Sequence, residues 1–316
     1  MKKIIYMLLG FCCAWLITII ILFIFIVELP AQFTKTYQAV IVDKYNSLSA
    51  EESPKIILVG GSSGGISFDA KQMEEELNIP VVNMALHASF GMKLQTEMLK
   101  DNVNKGDIII LAYEYQNWEN PSVFDAELVM TGFDGHLELY KYIDMEHYIN
   151  LIKYFPKYAF TKLDSLIITP YLVNENWIYC RKAFDNKGNI DFKREKCEMP
   201  NPLPEGVYTI TDFSKKNINI KSIEYVNQFV VWAEKKGAEV YISFPPFLDE
   251  TAIGDANDIK NYQEYLESQL DATVISSIED YIYPRKYIYD TPYHCTEEGT
   301  NLRTQSLIED LKKYEE

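Results

Sequence analysis

A chain of 316 residues with a formal charge of −16 sets up a field that disfavours nucleic acid and does not attract polyanions, so no nucleic-acid partner is expected. Its 5 cysteines include no Cys-x-x-Cys, and the chain has no His-Glu-x-x-His, no Walker sequence and no Gly-x-Gly-x-x-Gly opening a helix in register. Metals and cofactors are therefore not expected.

After Lys2 and Lys3, the stretch Ile4 to Val27 is free of charge and rich in Ile, Leu and Phe. As a helix it extends about 36 Å at ~1.5 Å per residue, enough to span a bilayer. A cleaved signal peptide has a shorter apolar region of about 7–15 residues and a small-residue site, which Leu29-Pro30-Ala31 matches poorly. Residues 1–30 are thus read as a transmembrane anchor that meets the lipid bilayer through residues 4–27. Lys2 and Lys3 place the N-terminus in the cytoplasm and the remaining chain outside.

Residues 31–54 read as a stalk, helical in part and polar towards Ser47–Ser53. Residues 55–316 then fit one α/β domain with an insertion. Short apolar runs predict strands at Lys55–Val59, Pro80–Met84, Asp107–Tyr113, Glu239–Phe244 and Ala272–Ser276. Helical patterns fall between them at Asp69–Leu77, Met92–Val103, Ile223–Lys236 and Ile259–Leu270, and Thr296–Lys313 closes the chain. Runs this rich in Ile and Val are buried on both faces, which predicts a doubly wound, flavodoxin-like parallel sheet with helices on each side. Residues of about 116–221 break the alternation; they are aromatic, and their position after a central strand marks them as a specificity region or, more plainly, as packing. Cys180 and Cys197 flank a polar segment there and are a candidate disulfide in an oxidising compartment.

The first strand runs into Gly60-Gly61-Ser62-Ser63-Gly64-Gly65, and Asp290-Thr291-Pro292-Tyr293-His294 precedes the last helix. A serine on a glycine-rich turn has the exposure that nucleophilic attack needs, with Ser63 as the alternative. His294 has the near-neutral chemistry to take the serine proton and return it to a leaving group, and Asp290 would hold its tautomer. His87, after the second strand, could line the same cleft; His136 and His147 lie in the insertion. Gly60-Gly61-Ser62-Ser63-Gly64 also fits the nucleophile elbow of α/β-hydrolases, but that elbow follows several strands and keeps its acid and histidine on separate loops.

The turn after the first strand, together with an Asp and a His just before the last helix, resembles the SGNH (GDSL-like) hydrolases. Within them the chain looks most like membrane-anchored members related to cell-envelope O-acylation and D-alanyl-lipoteichoic acid biosynthesis proteins. The resemblance covers most of residues 55–115 and 285–312. It implies Ser62 as nucleophile, His294 as base and Asp290 as acid, although that superfamily spaces Asp three residues before His and here the spacing is four. It implies an oxyanion hole from Ser62, Ala85 and Asn117, by backbone or side chain, with Glu114 and Gln116 as other replacements for a Gly-x-Asn-Asp signature that the chain lacks. The Asp69 helix would supply further amide donors.

The expected function is an extracytoplasmic serine esterase or O-acyltransferase acting on O-acyl esters of an envelope polysaccharide or teichoic-acid-like polymer, with a membrane-bound O-acyltransferase as a possible partner. The alternative is a catalytically degenerate protein that binds envelope glycan or such a partner.

Overall fold

The alternation of side chains along Ile56-Ile57-Leu58-Val59 explains the centre of the molecule. In a computed structural model, which describes residues 2–215 and 217–315, this run forms strand β1 (Ile56–Gly60). Ile56 and Leu58 point into one apolar cluster, with Met73, Ile110, Leu307 and Ile308; Ile57 and Val59 point into another, with Ile109, Leu111, Val230 and Ile242. Successive residues of a strand face opposite sides, so a run apolar at every position demands cover on both.

Strands β2 (Val81–Asn83), β3 (Ile108–Ala112), β4 (Glu239–Ile242) and β5 (Thr273–Val274) join β1 in one sheet, ordered β2-β1-β3-β4-β5 and parallel throughout. The protein is therefore a mixed α/β fold on a parallel central sheet. Its order reverses between β1 and β3, and ligands of such sheets bind in the crevice beyond the carboxyl ends of those two strands.

Helix α1 (Lys2–Glu28) is the apolar segment, long enough to cross a membrane. Helix α2 (Val40–Ala50) follows. Residues 31–54 do not stand free as a stalk. Phe33, Tyr37, Val40, Ile41 and Leu48 are buried in the larger core cluster, and Asp43 is held bidentately by Arg181 at 2.7 and 2.5 Å. The polar run at Ser47–Ser53 misleads because only one side of α2 is wet.

Beyond β1 come α3 (Ser62–Ser67), α4 (Ala70–Leu77) and, after β2, α5 (Met92–Glu97). Between β3 and β4 lie α6 (Tyr115–Glu119), α7 (Ala126–Gly132), α8 (Tyr148–Ile167) and α9 (Ile220–Lys236). Helix α10 (Ala256–Gln269) precedes β5, and α11 (Glu297–Glu315) ends the fold. Most aromatics of the insertion serve packing: Trp118, Phe133, Tyr140, Tyr142, Phe155 and Tyr158 are buried in the same core as the sheet. Trp177 and Tyr148 stay exposed. Cys180 and Cys197 do not form the expected bridge; both are free, and the buried Cys180 thiol donates to the Trp177 carbonyl at 3.0 Å.

Lys44 on α2 is fully buried and donates from Nζ to the Asn83 carbonyl at 2.9 Å. Burial pushes its ammonium down to about 7, against the opposing pull of Asp185 and Asp43. The unfolded chain keeps the ordinary value of 10.5, so between these two values it binds more protons than the folded chain. Stability from this group is accordingly absent below pH 7 and grows as pH rises above it. Urea midpoints of the full chain in detergent at pH 7 and pH 9 should show this rise, and Lys44→Met should remove it; an unchanged slope in the variant would refute the assignment.

Candidate active site

Position at the crevice follows from the strand register. Gly60 pairs with Ala112, so the residues leaving β1 and β3 emerge side by side. Ser62 opens α3 and Glu114 precedes α6. A Cβ on Gly61 would fall on the Glu114 carboxylate and within 3.0 Å of the Ala88 nitrogen. Only glycine lets the turn pass this closely.

Glu114 is buried, and its Oε1 accepts hydrogen bonds from the Ser63 amide at 2.9 Å and from the Ser62 hydroxyl at 3.3 Å. Gln116 Nε2 donates to the other oxygen at 3.1 Å. The nucleophile candidate thus bonds a carboxylate and not the imidazole. Ser62 is half-buried, whereas Ser63 is fully buried and offers no access to a substrate.

The loop carrying the Asp–His pair is fastened to the other end of the same short helix. Ser67 Oγ accepts from the Cys295 amide at 2.9 Å and donates to the Tyr293 carbonyl at 3.3 Å. Asp290 Oδ1 lies 2.8 Å from His294 Nδ1, so the four-residue spacing still closes the pair. A turn does this: the His294 amide donates to the Thr291 carbonyl, and the Tyr289 amide donates to the His294 carbonyl at 2.7 Å. With the Nδ1 proton given to Asp290, Nε2 is left as the basic nitrogen.

Tyr179, from the insertion, braces this pair. Its hydroxyl donates to Asp290 Oδ2 at 2.8 Å and lies 3.2 Å from His294 Nδ1. Burial alone would raise the Asp290 carboxyl, but the hydrogen bond and charge of His294 and the Tyr179 hydroxyl outweigh it and hold the group below the ordinary aspartate range. Burial and the Asp290 charge push the Tyr179 phenol well up. No local pattern marks Tyr179, because its partners are more than a hundred residues away in the chain.

His87 belongs to the same neighbourhood. Its Nδ1 accepts from the Ser89 amide at 3.1 Å, which caps the turn after β2. Burial lowers its pKa against the pull of Glu114, and His294 lowers it further. His136 and His147 lie apart from the site: His136 pairs with Glu138, and His147 stacks on Phe124. A cleft of about 390 Å³ opens beside His87 and Tyr179, walled also by Tyr37, Tyr171, Leu172 and Trp177.

Two of the three expected oxyanion donors, Ala85 and Asn117, are engaged otherwise. The Ala85 amide donates to Asn83 Oδ1 at 3.0 Å, and Ala85 is fully buried against the position of Gly64. Asn117 Nδ2 donates to the Ala88 carbonyl at 3.1 Å, and its amide to the Glu114 carbonyl at 2.9 Å. Asp69 caps α4 by accepting from the Gln72 amide, and α3 separates Ser62 from that helix in the chain. Among the described residues no group of three or more His, Cys, Asp or Glu side chains is arranged to hold a metal ion. Compared with known proteins, the chain matches no family model and no curated protein.

Proposed function

We propose that this protein is a membrane-anchored, SGNH-type serine esterase or O-acyltransferase whose site lies outside the cytoplasm and acts on O-acyl esters of an envelope polymer. One observation carries the reading. Ser62 begins the helix after β1, and the Asp290–His294 pair, closed at 2.8 Å, is tied to that same helix through Ser67. For reaction, the Ser62 hydroxyl turns from Glu114 towards the imidazole and attacks the acyl carbonyl. His294 Nε2 takes the hydroxyl proton and returns it to the departing alkoxide, leaving an acyl-serine. Water then gives hydrolysis, and a sugar or polyol hydroxyl gives transfer. An anchor that leaves the domain outside, as Lys2 and Lys3 favour, points to an envelope polymer as substrate, and to a membrane-bound O-acyltransferase as the source of acyl groups in the transfer case.

Glu114 favours a second reading. A carboxylate on the Ser63 amide and the Ser62 hydroxyl opposes an oxyanion forming beside them. In that case the pocket binds an envelope glycan or a protein partner without turnover. The test is labelling of the full chain with a fluorophosphonate and hydrolysis of p-nitrophenyl acetate, each beside Ser62→Ala. Labelling and turnover that vanish in Ser62→Ala support catalysis; their absence in the unaltered chain leaves only binding.

A further inference from the structure

Helix α8 is apolar on two opposite sides. Leu151, Phe155 and Tyr158 enter the core, while Ile149 (58%), Ile152 (57%), Phe160 (73%) and Ile167 (75%) form a stripe open to solvent. Beyond the helix, Ile168 (74%) and Leu172 (84%) continue it. Isolated exposed apolar residues are ordinary, but a stripe along five turns of one helix marks a surface that something covers.

Its place relative to α1 identifies the occupant. The Phe23 ring packs against Phe155 of α8 and against Tyr140, with centroids 5.3 and 5.1 Å apart, and Lys162 of α8 donates to the Val27 carbonyl at 2.8 Å. From Ile4 to Phe23 the helix already covers about 30 Å, the thickness of a bilayer's hydrocarbon core. Phe23 therefore stands at the membrane boundary once α1 spans it, and α8, touching Phe23, lies at the same level. Lys153 and Lys157 border the stripe, with Lys157 paired to Glu127, and Asp164 is the helix's only acidic residue. Basic residues beside an apolar helix face are the pattern of helices that lie in the interfacial plane.

We propose that the outer face of α8 is embedded in the membrane interface, a second contact with the bilayer that holds the domain down beside α1. Tyr171 and Leu172, which follow α8, wall the cleft next to His87 and Tyr179, so the cleft opens close to the lipid surface. This inference rests on α1 spanning the membrane, and the test separates the two.

The full chain is reconstituted in phosphatidylcholine–phosphatidylglycerol vesicles, with or without lipids brominated on the acyl chains, near the headgroup to read α8 and near the chain ends to read Trp15 at mid-span. Native Trp15 lies within α1, and comparison with Trp15→Phe reads its quenching. Phe160→Trp and Ile167→Trp report on α8, and Leu302→Trp on α11, across the sheet, serves as control. The added emission of both α8 variants should be blue-shifted and lost to bromine, and that of Leu302→Trp should not. Either α8 variant suffices if the other does not fold. Water-like, unquenched emission at α8 with Trp15 quenched overturns the interfacial contact alone. Blue-shifted but unquenched emission assigns the stripe to a second protein copy and also overturns it. Unquenched Trp15 removes the anchor, and the inference with it.

Discussion

Asp290→Asn should lower turnover of an O-acyl ester by about 10⁴-fold while leaving the protein folded. The carboxylate accepts from His294 Nδ1 at 2.8 Å and from the Tyr179 hydroxyl at 2.8 Å, which fixes the imidazole with Nε2 free. An asparagine amide turned towards Nδ1 donates where the carboxylate accepted, so the ring proton moves to Nε2 and the base is lost. His294→Ala should fall at least as far. Tyr179→Phe keeps the Asp290–His294 bond and loses one hydrogen bond to a charged group, worth about 1.5–3 kcal/mol, or roughly a tenfold to hundredfold effect. Single-turnover acylation rates across pH resolve the three variants. If Asp290→Asn acylates as fast as the unaltered chain, this pair does not drive the chemistry.

The next largest effect should be on stability, at the junction between anchor and domain. Asp134 Oδ2 accepts from the Gln32 and Phe33 amides at 2.6 and 3.1 Å, while Oδ1 accepts from the Tyr158 hydroxyl at 2.5 Å and pairs with Lys162 at 2.6 Å. Lys162 Nζ in turn caps the last turn of α1 through the Val27 carbonyl. Both side chains of the pair are almost completely buried. Asp134→Ala leaves an ammonium without its counter-charge, and breaking such a pair costs about 3–5 kcal/mol. Urea unfolding of the detergent-solubilised chain should register that loss. The double variant Asp134→Leu with Lys162→Met should recover much of it, because an apolar pair carries no buried charge. A single variant within experimental error of the unaltered chain would show that the node does not hold the junction.

Tight coupling at this node has a functional meaning. If the chain behind α1 hung on a loose stalk, the site would sample many heights above the membrane. Instead Gln32 and Phe33 are pinned within a few residues of the span, and α2 packs into the core. The domain is therefore held in one position relative to the end of α1.

How much was legible before the structure varies from element to element. Strands are easiest to read where burial on both faces makes every position apolar, as in Ile56–Val59 and Ile108–Leu111. The two edge strands are reduced to Val81–Asn83 and Thr273–Val274, shorter than their apolar runs suggest, because only one neighbour pairs with each. Helix α3 was invisible: Ser62-Ser63-Gly64-Gly65 carries no helical pattern, and close packing against Ala85 and Phe68 holds it. Residues 31–54 read as a stalk because the run Ser47–Ser53 is polar, yet just before it Lys44 is buried and Asp43 is gripped by Arg181.

By itself the sequence determined the apolar span, the succession of parallel strands, the serine on its glycine turn and the Asp–His pair, because each rests on side chains near one another in the chain. Tertiary structure alone decided that Glu114 stands on Ser62, that the Ala85 and Asn117 donors are taken, that Tyr179 braces the pair and that α8 packs against the end of α1. These depend on which residues the strand order and the core bring together. No local periodicity records such contacts, since the energy that makes them comes from burying surfaces distant in the chain.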